Sequence, residues 1–146
     1  PEKWRPQTRE TADHSFPYCV AVALLDGKVT TRSFDAKRLA DPVLHELIQK
    51  VRVVQLPEFA GLYPEVMPTR ITVKTKTGHS YIQQVDHPFG HPKHPMDDRE
   101  IEAKFRRLAK GKLGLARVSQ VIDLVWKLDQ LKEINRLMLF LRVRHG

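Results

Sequence analysis

The chain has 146 residues, enough for one ordinary domain or one domain with an appendage. It is 41% hydrophobic and 29% charged, close to average globular usage, which argues against wholesale disorder. The net charge of +8 is uneven. Residues 99–146 hold 12 basic and 5 acidic side chains, a net of +7; residues 1–98 hold 13 and 12, a net of +1. The basic residues are spread among apolar helical positions with no aromatic stacking pattern, so they read as a solvated or partner-facing helix surface and not as a nucleic-acid interface. No apolar run approaches the ~20 residues that cross a bilayer, so no membrane span is expected. The polar start, Pro1 to Glu10, lacks the apolar core of a signal peptide and has no initiator Met, so it reads as a cut end. The single cysteine, Cys19, excludes an intramolecular disulfide and reads as a buried small hydrophobe.

In chain order, the pattern predicts a first helix from Ser15. Ser15 is a good cap, and Pro17 is tolerated only in a first turn. The run Tyr18 to Leu25 is apolar on nearly every side, so this helix should be buried, and Gly27 should end it in a left-handed conformation. Lys28 to Phe34 reads as a short extended stretch. Asp41-Pro42 predicts a second helix, with Val43, Leu44, Leu47, Ile48 and Val51 at helical spacing. Val53-Val54 reads as a strand. Arg70 to Lys76, the turn Thr77-Gly78, and His79 to Val85 form the clearest hairpin.

Asp86 to Met96 is a loop, because its three prolines forbid regular structure. A helix follows from Asp97 or Asp98 to about Ala109, with acidic residues in its first turn. Two more span about Leu115 to Leu128 and Leu131 to Leu141. The run Leu137-Met138-Leu139-Phe140-Leu141 is apolar all round, which predicts that residues 97–146 pack on something outside this chain. The expected fold is therefore α+β: a small antiparallel sheet with packed helices over residues 1–96, followed by a C-terminal helical segment over residues 97–146, with a boundary near Pro95.

Reactive side chains concentrate at Thr11 to Tyr18, just before the buried helix. Free amides and the positive dipole end of that helix would make an anion site there. Tyr18 could place a phenol near a bound carboxylate, and His14 could donate, accept or bind charge. The residues alone favour a plainer reading, in which Asp13 or Ser15 caps the helix and Tyr18 is core, because caps are far commoner than sites. His87, His91 and His94 have short spacings, but no Cys or regular helical spacing accompanies them, so a loop or lid segment is favoured over a metal site. Phosphate-loop, zincin and nucleophile-elbow motifs are absent.

The stretch Thr8-Arg9-Glu10-Thr11-Ala12-Asp13-His14-Ser15-Phe16-Pro17-Tyr18, followed by Val20 to Gly27, resembles the start of the C-terminal region of MmgE/PrpD proteins. The likeness continues through Val29-Thr30, Ser33-Phe34, Asp41-Pro42 and Lys50-Val51. It returns at Gly90-His91-Pro92-Lys93-His94-Pro95-Met96 and at Glu102-Ala103-Lys104-Phe105, and it fits the closing helices. The His-Ser-x-x-Tyr element and the Gly-x-Pro-x-x-Pro-Met loop are its most specific parts, and His94 stands where a polar residue such as Asn is expected.

The resemblance implies an α+β lid whose terminal helices rejoin a large helical domain that this chain lacks, with the active site between the two. It implies a lyase acting on a small polycarboxylate without any cofactor or iron–sulfur cluster, in a homodimer, with no nucleic-acid or membrane partner. The location it implies is cytoplasmic, or the mitochondrial matrix in a eukaryote. The reaction expected first is dehydration of 2-methylcitrate in propionate catabolism. The alternatives are cis-aconitate decarboxylation, epimerisation, or a non-enzymatic binding module. Tyr18 and His14 would be catalytic and Ser15 substrate-binding. Tyr18 would contact a carboxylate or the leaving oxygen, and His14 would help orient it. The other acid–base groups would come from the helical domain, leaving this chain incomplete on its own.

Overall fold

The structure, a computed structural model, describes residues 2–143. The architecture is α+β: among the described residues there are seven α-helices and a single two-stranded antiparallel sheet. The chain forms two compact units, Pro1–Gly61 and Leu62–Gly146.

In the first unit, α1 (Arg9–Asp13) and α2 (Phe16–Asp26) are joined by His14 and Ser15. Thr8 caps α1 in a reciprocal arrangement with Thr11, which lets a helix of only five residues form. Ser15 caps α2 by accepting from the Tyr18 amide at 3.2 Å, and Gly27 ends it with φ of 69°. A short 3-10 turn, Thr31–Phe34, leads to α3 (Ala36–Leu39) and α4 (Pro42–Ile48). Asp41 caps α4 by accepting from the amides of Val43 and Leu44.

Two expectations fail here. Lys28 to Phe34 is not extended: the hydroxyl of Ser33 accepts from the Thr30 amide at 3.0 Å and closes a turn. Val53-Val54 is not a strand, because among the described residues no partner segment pairs with it, and β-branched residues stay extended in a sheet only when a neighbour completes the ladder.

The core of this unit is built from Ala12, Tyr18, Ala21, Val22, Leu44 and Ile48, all fully buried. Trp4, Phe34, Leu39 and Leu47 pack around them. The N-terminal segment is tied down at its tryptophan, whose indole donates to the Val51 carbonyl at 2.8 Å. The Trp4 carbonyl in turn accepts from Gln49.

In the second unit, β1 (Thr69–Lys74) pairs with β2 (Ser80–Val85), with Thr72 opposite Ile82. Apart from Val73 both strands are exposed along their length, with Tyr81 and Ile82 the most open of their large apolar side chains. Then come α5 (Asp98–Ala109), capped reciprocally by Asp97 and Glu100, α6 (Leu115–Val125) and α7 (Asn135–Leu141). Ala109, Val118 and Ile122 form a small core with Phe105 and Leu113. One nitrogen of the Arg117 guanidinium donates to the carbonyls of Leu139, Phe140 and Arg142, and so ties the end of α7 to α6. Leu137 is buried, whereas Ile134, Met138 and Leu139 are more than half exposed and Leu115 is 85% exposed.

Candidate functional site

The residues singled out from the sequence meet at the junction of α1 and α2. α1 ends on Asp13, and His14 is its C-terminal cap residue. The His14 ring Nδ1 lies 2.9 Å from the Glu10 carbonyl and 2.5 Å from the Asp13 carboxylate. Both neighbours are acceptors, so Nδ1 carries the hydrogen and Nε2 is left for other partners. The side chain is 77% exposed. The Glu10 carbonyl, then the Asp13 hydrogen bond and charge, hold the His14 pKa above its ordinary value, while slight desolvation and the charge of Lys3 oppose them.

Ser15 is buried and committed on both sides. Its hydroxyl donates to the Lys3 carbonyl at 2.5 Å and accepts from the Tyr18 amide. Pro17 has no amide, and the Cys19 amide is already bonded to the Ser15 carbonyl. The open set of helix-end amides expected for an anion site is therefore largely used by the cap itself.

Tyr18 is fully buried. Its phenol donates to the Ser33 carbonyl at 2.6 Å, and its ring stacks on Phe34 with centroids 5.8 Å apart. Burial pushes the phenol pKa up, opposed by the nearby charge of Arg38. No hydrogen bond joins His14 to Tyr18, so the histidine does not orient the phenol here. Cys19 is half-buried, with its sulfur 3.9 Å from the carbonyls of Ala12 and Asp13. Burial raises its pKa, the opposite of what activates a thiolate.

Two groups escaped the sequence reading. The first is Asp13 as the partner of His14; their adjacency was the available signal. The second is Arg38, whose guanidinium bridges Asp26 at 2.6 Å and Asp41, joining the end of α2 to the start of α4. Its Nε is buried without an acceptor. Arg38 borders a shallow groove of about 430 Å³ that also carries Arg32, Lys37, Asp35 and Asp41, a mixed set of charges. No local pattern signals a tie over twelve residues.

The histidine loop is ordered by its own contacts. His87 and His91 stack with centroids 4.8 Å apart, and His94 packs edge-on against Phe89. His91 Nδ1 accepts from the Lys93 amide at 3.1 Å. Among the described residues no three His, Cys, Asp or Glu side chains are gathered to hold a metal ion. No helix among them is long and apolar enough to cross a membrane.

An α+β chain whose reactive residues cluster where a short capped helix meets a buried one is the class of protein defined so far. Residues 1–128 match the MmgE/PrpD C-terminal domain, and the chain belongs to the MmgE/PrpD family. It is similar to the cis-aconitate decarboxylase of Homo sapiens (32% identical over 141 residues) and of Mus musculus (30% over 141 residues). It is also similar to the enzyme of that name from Aspergillus terreus (31% over 136 residues). These alignments cover 92–94% of this chain but only 28% of each relative.

Proposed function

We propose that the chain is the C-terminal part of a polycarboxylate lyase whose reaction is decarboxylation of cis-aconitate, and that turnover requires a helical part outside these residues. The observation that carries this reading is the similarity, along nearly the whole chain, to cis-aconitate decarboxylases from mammals and a fungus. It places decarboxylation ahead of the dehydration of 2-methylcitrate expected from the family resemblance alone. Within this reading residues 1–96 form the lid and residues 97–146 rejoin the helical part. The exposed apolar side chains Ile134, Met138 and Leu139 support that assignment.

Loss of carbon dioxide breaks a carbon–carbon bond and leaves its electron pair on the remaining five-carbon skeleton, where the conjugated double bond and a carboxylate delocalise it. A proton must then reach carbon, and cationic or hydrogen-bonding groups must hold the carboxylates. His14 suits the first task, being exposed with Nε2 uncommitted, and as an imidazolium it would serve the second as well. Tyr18 would line the floor, exchanging the Ser33 carbonyl for a substrate carboxylate. Ser15 would hold both in place through the cap and bind substrate only if its bond to Lys3 opened.

The test is the full-length protein supplied separately with cis-aconitate, measuring released carbon dioxide, and with 2-methylcitrate, measuring ultraviolet absorbance of the new conjugated double bond. Carbon dioxide release supports the proposal. Activity on 2-methylcitrate alone replaces it with dehydration. Activity on neither rejects both substrates.

A further inference from the structure

We infer that Asp13 is a positioning residue for His14, holding the ring so that Nε2 faces the reacting carbon of the bound polycarboxylate. This deepens the lyase reading and rests on it.

The argument is geometric. Both contacts of the His14 ring fall on Nδ1: the Glu10 carbonyl at 2.9 Å and the Asp13 carboxylate at 2.5 Å. The carbonyl alone is enough to choose the tautomer with hydrogen on Nδ1. The carboxylate adds something the carbonyl lacks, a full negative charge that favours the imidazolium. The same division of labour, a carboxylate on one imidazole nitrogen and the reacting atom on the other, lets a histidine deliver a proton in one fixed direction. His14 also closes α1 at its carbonyl end, where a cation is favoured. The charged neighbours are Asp13 on α1 and Lys3 on the preceding turn, which act in opposite directions.

The chemistry balances simply. Nε2–H of the imidazolium gives its proton to the carbon that carries the electron pair after carbon dioxide leaves. The imidazole is left neutral and regains a proton from solvent.

Full-length protein labelled with nitrogen-15 at histidine tests this by NMR, in the wild type, Asp13→Asn and His14→Gln. Asparagine keeps an acceptor for Nδ1–H but removes the charge. The expected result has three parts. The tautomer is unchanged in Asp13→Asn, its His14 titration midpoint falls, and saturating cis-aconitate moves the Nε2 resonance of the wild type. Where carbon dioxide release is measurable, its loss at high pH shifts to lower pH in Asp13→Asn by the same interval as the midpoint. His14→Gln lowers kcat on the order of 100-fold.

An Nε2 resonance unmoved by ligand, or a midpoint unchanged in Asp13→Asn, overturns the inference and leaves a surface ion pair. A shifted midpoint with an unshifted rate profile overturns it too. If the wild type binds cis-aconitate at His14 but releases no carbon dioxide, the decarboxylase reading fails while the positioning role stands.

Discussion

The phenol of Tyr18 donates to the main-chain carbonyl of Ser33 at 2.6 Å, and neither residue is more than 5% exposed. The bond pins the 3-10 turn Thr31–Phe34 onto α2, and through Phe34 it extends the aromatic face of the core. Tyr18→Phe keeps the ring and its stacking but strands a buried carbonyl. The expected loss of stability is about 1–2 kcal/mol, read as a lower urea midpoint with unchanged slope. In the full-length enzyme the same variant should also reduce turnover if the phenol reaches substrate. A stability loss with undiminished kcat would assign Tyr18 to the core alone.

Gly27 closes α2 with φ of 69°, and a Cβ built there meets nothing within 4 Å. Gly27→Ala is therefore a test of backbone conformation without a steric clash. It should cost roughly 1 kcal/mol through left-handed strain. A variant as stable as the parent in chemical denaturation would show that the helix end relaxes to a different conformation.

Much of this was legible because local chemistry decides it. Ser15 before Pro17, Gly27 after an apolar run, Asp41 before Pro42, Asp97 before Glu100, and Thr77-Gly78 between two β-rich runs each name an element's end by a capping or turn mechanism. What escaped notice depends on partners or on too few residues. The five residues of α1 are too short to show a helical period; only the Thr8–Thr11 cap marks them. Val53-Val54 has strand propensity but no neighbour to pair with among the described residues. Thr31–Phe34 is bent by a serine hydroxyl, which the apolar pattern does not record. At the site the same division holds. Ser15 was legible as a cap, whereas the acceptor for Tyr18 lies fifteen residues away and the Asp26 acceptor for Arg38 twelve, both set by packing.

Asp41 links pH to the stability of the first unit. Desolvation pushes its carboxyl up, but the amides of Val43 and Leu44 and the charge of Arg38 together outweigh it and hold the pKa below 3.8. A depressed carboxylate contributes stability that is fully present above its unfolded value and lost as pH falls through the folded one. The unit should therefore lose stability below about pH 3.8. Asp41→Asn, which still caps α4, should show a shallower loss over the same range in pH-dependent thermal unfolding. Parallel curves for parent and variant would remove Asp41 from the acid transition.

Leu139 decides whether the terminal helices belong against something larger. It is 61% exposed on α7, next to Met138 at 55%, while Leu137 on the same helix is buried. In this chain by itself Leu139→Asp replaces an exposed side chain, so its effect should stay within roughly 0.5 kcal/mol. If residues 97–146 rejoin a helical part, the same substitution in the full-length protein places a carboxylate in an apolar interface. There the loss should reach about 2–3 kcal/mol, the scale of burying an unpaired polar group. Arg117 holds α7 through main-chain carbonyls, including that of Leu139, so the substitution leaves the tie to α6 intact. Comparing the two stability changes therefore isolates the missing contact. Equal small effects in both contexts would mean that the apolar face of α7 stays open in the whole protein.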